Sequence, residues 1–196
     1  SSRVVCGFGY SLRAVADMNT FSPREIDRIL DARGLAPAKR FGQNFLINPG
    51  AVSTLVKTAT AGRPDTIWEI GPGIGTLTER LVESGAEVTA FEIDAGFVEL
   101  LRDRFSGRPS FRLVPGDFLE TWRSVLSSSG PPAVIVGNLP YNVASRIVIE
   151  LFVAELPSKL VVTVQREVAA RMNASPSDAD YSSYSIVCRT GFLIHV

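Results

Sequence analysis

The chain has 196 residues, 45% of them hydrophobic, and balances 20 basic against 20 acidic side chains around a single histidine, His195. This supports one sizeable core and excludes wholesale disorder, while zero formal charge excludes a surface coated in phosphate-binding groups. Cys6 and Cys188 lie too far apart for any metal spacing, so no metal is expected; they read as free thiols of a reducing compartment, with a disulfide as the alternative.

Taken in chain order, the N-terminal SSRVVCGFGYSLRAVADMNT holds a weak apolar patch and no continuous signal-peptide core. Met18 is a candidate start, which makes the residues before it an extension. SPREIDRILDARG predicts a helix: Ser22 caps it, Pro23 takes the first position, Glu25 completes a capping box and Gly34 stops it. LAPAKRFGQNFLINPG, rich in Gly, Pro and Asn, leads to a helix over about 50–60. The body then alternates. TIWEI (66–70), EVTAFEI (87–93), FRLV (111–114), AVIV (133–136) and KLVVTV (159–164) are predicted strands. Each is followed by a helical stretch: TLTERLVESG, AGFVELLRDRF, GDFLETWRSVL, VASRIVIELFVAEL and REVAARM. Strands apolar on both faces alternating with helices imply an α/β fold, a parallel sheet covered on both sides, spanning about 50–196. No run approaches a membrane span, since Glu150 and Glu155 interrupt IVIELFVAEL; a cytoplasmic protein without a membrane partner is expected.

Ligands of such sheets bind beyond the carboxyl ends of the strands, and four suggestive segments fall there. Gly71, Gly73 and Gly75 follow the first of these strands and allow the main chain to turn sharply against a ligand, although a glycine-rich joint also occurs without one. Helix amides from about Thr76 suit a pyrophosphate or the carboxylate of an amino-acid-bearing cofactor. Glu92, 21 residues after Gly71, falls where a carboxylate grips ribose hydroxyls, while its neighbour Asp94 suits a helix cap. Asp117 reads either as a helix N-cap or as the acceptor for an adenine amine. The combination points to an adenosine cofactor, either NAD or S-adenosylmethionine.

The fourth segment, GNLPYN (137–142), separates the two. As a turn, NLP is ordinary. As an active-site lip it suits methyl transfer to an aromatic amine, whose lone pair is conjugated into the ring until acceptors hold its hydrogens. Asn138 and a backbone carbonyl beside Pro140 provide acceptors, proline stiffens the loop, and Tyr141 offers a stacking face to an extruded base.

Together, KRFGQNFL (39–46), EIGPGIGTLTE (69–79), FEID (91–94), GDFL (116–119), GNLPYN and VQREVAARMNASPSDADYSSYS (164–185) closely resemble the ribosomal RNA adenine dimethyltransferase family. The resemblance implies a Rossmann-like S-adenosylmethionine-dependent methyltransferase fold, a mostly parallel sheet with helices on both faces. It implies dimethylation of two adjacent adenosines in small-subunit ribosomal RNA, with the precursor small subunit as partner and a monomeric enzyme. By motif position it assigns Asn44, Leu46, Gly71, Gly73, Gly75, Glu92, Asp117 and Asn138 to the cofactor, and Asn138, Leu139, Pro140 and Tyr141 to the catalytic lip. A non-catalytic RNA-binding assembly or transcription factor, and a methyltransferase for large-subunit RNA, remain as alternatives within the family.

Where the family usually has a glycine after the tyrosine, this chain has Tyr181-Ser182. The resemblance divides the chain into an extension and helical lead-in (1–38) and a catalytic domain (39–196). It also implies a further strand pair and a small helical C-terminal domain beyond Val196, leaving an antiparallel edge hairpin incomplete. Lys39-Arg40, beside cofactor and lip, is the expected RNA-phosphate contact.

Overall fold

The computed structural model describes residues 2–6, 49–139 and 142–195; the predicted helix over 22–34 lies outside the described residues. The elements in order are β1 (Ser2–Cys6), α1 (Pro49–Thr60), β2 (Thr66–Ile70), α2 (Thr76–Glu83), β3 (Glu87–Glu92), α3 (Ala95–Arg104), β4 (Phe111–Pro115) and α4 (Phe118–Ser129). They continue with β5 (Val134–Asn138), α5 (Ala144–Val153), β6 (Lys159–Thr163), α6 (Arg166–Asn173), α7 (Ser183–Gly191) and β7 (Phe192–His195). The five predicted strands appear within two residues of their expected limits. Helix ends differ more, because the last turn of α2 closes at Glu83 and hands its carbonyls to Ser84 and Gly85.

The sheet has seven strands in the order β4-β3-β2-β5-β6-β1-β7, and all its recorded pairings are parallel. Successive side chains of a strand point to opposite faces, so each strand feeds two cores. Ile67 of β2 packs with Leu55 and Ala59 of α1 and Leu77 and Leu81 of α2. Trp68 and Ile70 join Phe118 and Trp122 of α4 and Ile147 and Leu151 of α5 on the other face. There Trp68, Phe91 and Phe118 make consecutive edge-on contacts, with centroids 5.2 and 5.0 Å apart. This is the Rossmann-like α/β architecture expected. Among the described residues, no helix is long and apolar enough to cross a membrane.

One edge holds a strand that the sequence did not announce. Among the described residues, β1 lies between β6 and β7 and runs parallel to both. The weak apolar patch of the N-terminus is therefore a sheet strand, read poorly from sequence because five residues with two valines carry no period of their own. The disulfide alternative is also excluded: Cys188 of α7 is a free thiol, buried, and pushed up to about 11 by that burial.

The functional edge depends on how closely β5 approaches β2. Gly137 pairs with Ile70, and a Cβ at Gly137 would stand 2.5 Å from the Ile70 carbonyl oxygen. Backbone cannot yield to such a contact as a flexible side chain does, so only glycine fits. Gly137→Ala is expected to destabilise the protein by about 1–3 kcal/mol, the cost of an overpacked site. A urea midpoint that does not move would show that the two strands separate freely.

Candidate functional site

Because β2, β3, β4 and β5 are parallel, their carboxyl ends open on one edge, and the predicted segments meet there. After β2 the chain turns through Gly71, Gly73 and Gly75, all with positive φ (68°, 57° and 83°). The turn is tied down from several sides. Gly71 N donates to Phe91 O at 3.0 Å, Gly75 N to Pro72 O at 2.9 Å, and Arg104 Nη1 donates to Ile74 O at 2.5 Å while its Nη2 pairs with Glu79 at 2.8 Å. At Gly75 a Cβ would meet Phe105 Cε2 at 2.8 Å, so packing as well as φ demands glycine. Gly75 starts α2 without any side-chain cap, and the first-turn amides are left for an anion, as a helix start facing a carboxylate requires.

Glu92 ends β3 and is 1% exposed. Its Oε2 accepts from Gly73 N and its Oε1 from Asp94 N, both at 2.9 Å. Burial pushes its pKa up, while the bonds from Asp94 and Gly73 pull it back. Asp94 accepts from Gly96 N and Phe97 N at 2.8 and 3.2 Å and caps α3. The two neighbouring acids thus have different jobs: Glu92 faces the turn and Asp94 serves the helix. Between them Ile93 is 46% exposed, an apolar surface at the mouth that sequence reasoning missed. Its one visible signal was an isoleucine directly after the strand-end acid.

Asp117 caps α4 by accepting from Leu119 N at 2.9 Å through Oδ1. It lies beside Glu92, since Glu92 pairs with Pro115 and its carbonyl accepts from Gly116 N at 2.8 Å. The cap engages Oδ1 and leaves Oδ2 to accept from a ligand.

Asn138 ends β5. A Cβ on Gly71 would stand 3.9 Å from its carbonyl oxygen, so turn and lip are neighbours. The Asn138 Oδ1 accepts from the Thr163 hydroxyl at the end of β6. The side chain of Leu139, expected among the lip's catalytic residues, is 1% exposed and packs into the core beneath the lip. Pro140, Tyr141, Lys39, Arg40, Asn44 and Leu46 lie outside the described residues. The structure therefore brings together Gly71, Gly73, Gly75, Glu92, Asp117 and Asn138.

A second carboxyl sits beneath this edge. Glu69 of β2 is 1% exposed, and burial, together with the neighbouring Glu92 charge, pushes it up to about 8 although Thr78 of α2 opposes the shift. Neither Glu69 Oε2 nor Thr78 Oγ1 closes a hydrogen bond of ordinary geometry. At neutral pH Glu69 is a neutral acid. Sequence reasoning passed over it because a glutamate inside TIWEI breaks the apolar pattern without announcing a partner.

The sequence profile of the family "Ribosomal RNA adenine dimethylase" matches residues 36–195. The Ribosomal RNA small subunit methyltransferase A of Treponema denticola is 39% identical over 173 residues, which is 87% of this chain and 59% of that protein. The chain thus spans about three fifths of the length of this relative. Among solved structures, a dimethyladenosine transferase from Plasmodium falciparum superposes with a TM-score of 0.60 at 26% identity, covering 72% of this chain and 50% of that one. The 23S rRNA methyltransferase ErmE superposes with a TM-score of 0.53 at 32% identity, covering 65% and 50%.

The buried acid makes stability depend on pH. Folding raises the Glu69 pKa from 4.5 to about 8, so the folded state binds the proton more tightly. The resulting stabilisation is full below about 4.5, declines as pH rises and is lost above about 8. Glu69→Gln, which keeps the shape without the titration, is expected to make that decline shallower and to gain on the wild type at alkaline pH. A residual slope remains from Glu92, raised in the same direction. Parallel urea curves for the two proteins across this range would contradict the assignment.

Proposed function

The chain belongs to the ribosomal RNA adenine dimethylase family, and on that premise we propose that this protein uses S-adenosylmethionine to dimethylate the exocyclic amines of two adjacent adenosines in small-subunit ribosomal RNA. The observation that carries this reading is the adjacency of the Gly71 turn and the Asn138 lip, with Glu92 and Asp117 alongside. Its substrate is the precursor small subunit, met by a monomeric protein in the cytoplasm, with Lys39 and Arg40 on RNA phosphates.

The residues present fit the cofactor. A carboxylate oxygen accepts more than one hydrogen bond, so Glu92 can hold ribose hydroxyls while still bracing Gly73 and Asp94. Exposed Ile93 gives adenine an apolar face, and Asp117 Oδ2 an acceptor for its amine. The uncapped start of α2 suits the amino-acid carboxylate, and motif position gives Asn44 and Leu46 to the same cofactor. S-adenosylmethionine supplies an electrophilic methyl group, so the protein needs no nucleophilic side chain.

The protein's task is to orient the amine. Asn138 Oδ1 accepts one of its hydrogens and a carbonyl beside Pro140 the other, which favours a more tetrahedral nitrogen whose lone pair points at the methyl. Tyr141 stacks on the extruded base, and Pro140 keeps the lip stiff. Buried Leu139 resists displacement of the lip when the base enters.

Glu92→Ala is expected to weaken S-adenosylhomocysteine binding by roughly 1–3 kcal/mol, the value of a charge-assisted bond. Calorimetry against NAD checks it, and a preference for NAD rejects the methyltransferase reading. Nucleoside mass spectrometry after reaction with precursor small subunits should yield dimethyladenosine. Modification of large-subunit RNA alone would move the target to that of the ErmE relative, and cofactor binding without transfer would indicate an assembly factor.

Asn138→Ala should depress single-turnover methyl transfer far more than RNA binding, because its main partner is the amine at the transition state. An unchanged transfer rate would remove Asn138 from the mechanism.

A further inference from the structure

We infer that Thr163 is the positioning residue of the methyl-transfer lip: it fixes which way the Asn138 carboxamide points. This rests on the reading of Asn138 as the acceptor for the target amine. Thr163 ends β6 directly opposite Asn138, its partner in the parallel β5–β6 register. Two bonds join them from one residue. The Thr163 hydroxyl donates to Asn138 Oδ1, and the Thr163 carbonyl accepts from Leu139 N at 3.1 Å.

The consequence follows from the two ends of a carboxamide. One end accepts and the other donates, and rotation by half a turn about the last side-chain bond exchanges them. An amine nucleophile needs the acceptor; a donor in its place would compete for the lone pair that must attack. The Thr163 hydroxyl is bound as donor to Oδ1, and that bond, with the fixed β5–β6 register, holds the carboxamide in the orientation it has here. Oδ1 can accept two hydrogen bonds, so Thr163 and the substrate amine are compatible partners. The β-branch of threonine restricts its own χ1, and the backbone bond to Leu139 holds the lip at the same point. The Asn138 side chain is thus oriented before substrate arrives, the condition under which such contacts act with least reorganisation.

The test uses two substitutions, one that keeps the shape of threonine and one that keeps its hydroxyl. Thr163→Val keeps the branch and removes the hydroxyl; Thr163→Ser keeps the hydroxyl. Single-turnover methyl transfer at saturating cofactor and precursor subunits should fall on the order of tenfold to a hundredfold in Thr163→Val, the scale of a misplaced reacting group. It should return in Thr163→Ser, with cofactor and RNA affinities and melting temperature near wild type in both. A wild-type transfer rate in Thr163→Val overturns the inference, as does equal loss in Val and Ser variants, which would mark a purely structural role.

Side-chain 15N relaxation of the Asn138 amide, assigned by its loss in Asn138→Asp, reads orientation without needing activity. The amide should be rigid in wild type and Thr163→Ser and mobile in Thr163→Val. Equal order in all three overturns the inference even in a protein that transfers no methyl group, an outcome that would separately reject the proposed reaction.

Discussion

The Glu92 carboxylate stands where two loops each need an acceptor. Oε2 takes the amide of Gly73 and Oε1 that of Asp94. A carboxylate withdrawn from water is costly unless hydrogen-bonded, and these two amides are what make one tolerable at 1% exposure. The turn after β2 and the start of α3 are thereby held at a fixed separation. Asp94 can then cap α3, and the Glu92 carbonyl secures Gly116 at the exit of β4. Three of the four segments on the functional edge hang on this residue, and the fourth is brought to it by the contact of Gly137 with Ile70.

Glu69 and Glu92 show how environment divides two like side chains on adjacent strands. Both are almost wholly buried. Glu92 receives two backbone amides, which counter the push of burial. Glu69 Oε2 receives none, and burial carries its pKa to about 8. Burial thus favours the protonated form of Glu69, and the proximity of Glu92 pushes in the same direction. Neutrality in Glu69 and hydrogen bonding in Glu92 are two solutions to the same desolvation.

How much of this was legible in the sequence follows from the range of each interaction. The strands from Thr66 to Thr163 were readable because each is a short apolar run bounded by turn residues, and Asp94 and Asp117 because a cap is local. Glu92 was recognisable by its spacing from Gly71. Thr163 and Glu69 were not, since what matters about each is a partner on another strand or helix, and no local pattern encodes register. That the Leu139 side chain packs into the core was not legible either, because motif position does not say which side of the chain meets it. β1 was hidden for the same reason as Thr163: a strand that owes its place to partners more than 150 residues away leaves little trace in its own five residues.

That strand sets a problem of timing. β7 joins the sheet through β1, and β1 in turn lies against β6, so β1 is held between two strands that come much later in the sequence. During vectorial synthesis β1 leaves the ribosome long before either of these partners exists. It must wait with both hydrogen-bonding edges unsatisfied, in the state most open to misdirected pairing. The central strands, β4-β3-β2-β5-β6, can consolidate meanwhile. Docking of β1 between β6 and β7 therefore follows the synthesis of both, a closure that high sequence separation makes slow.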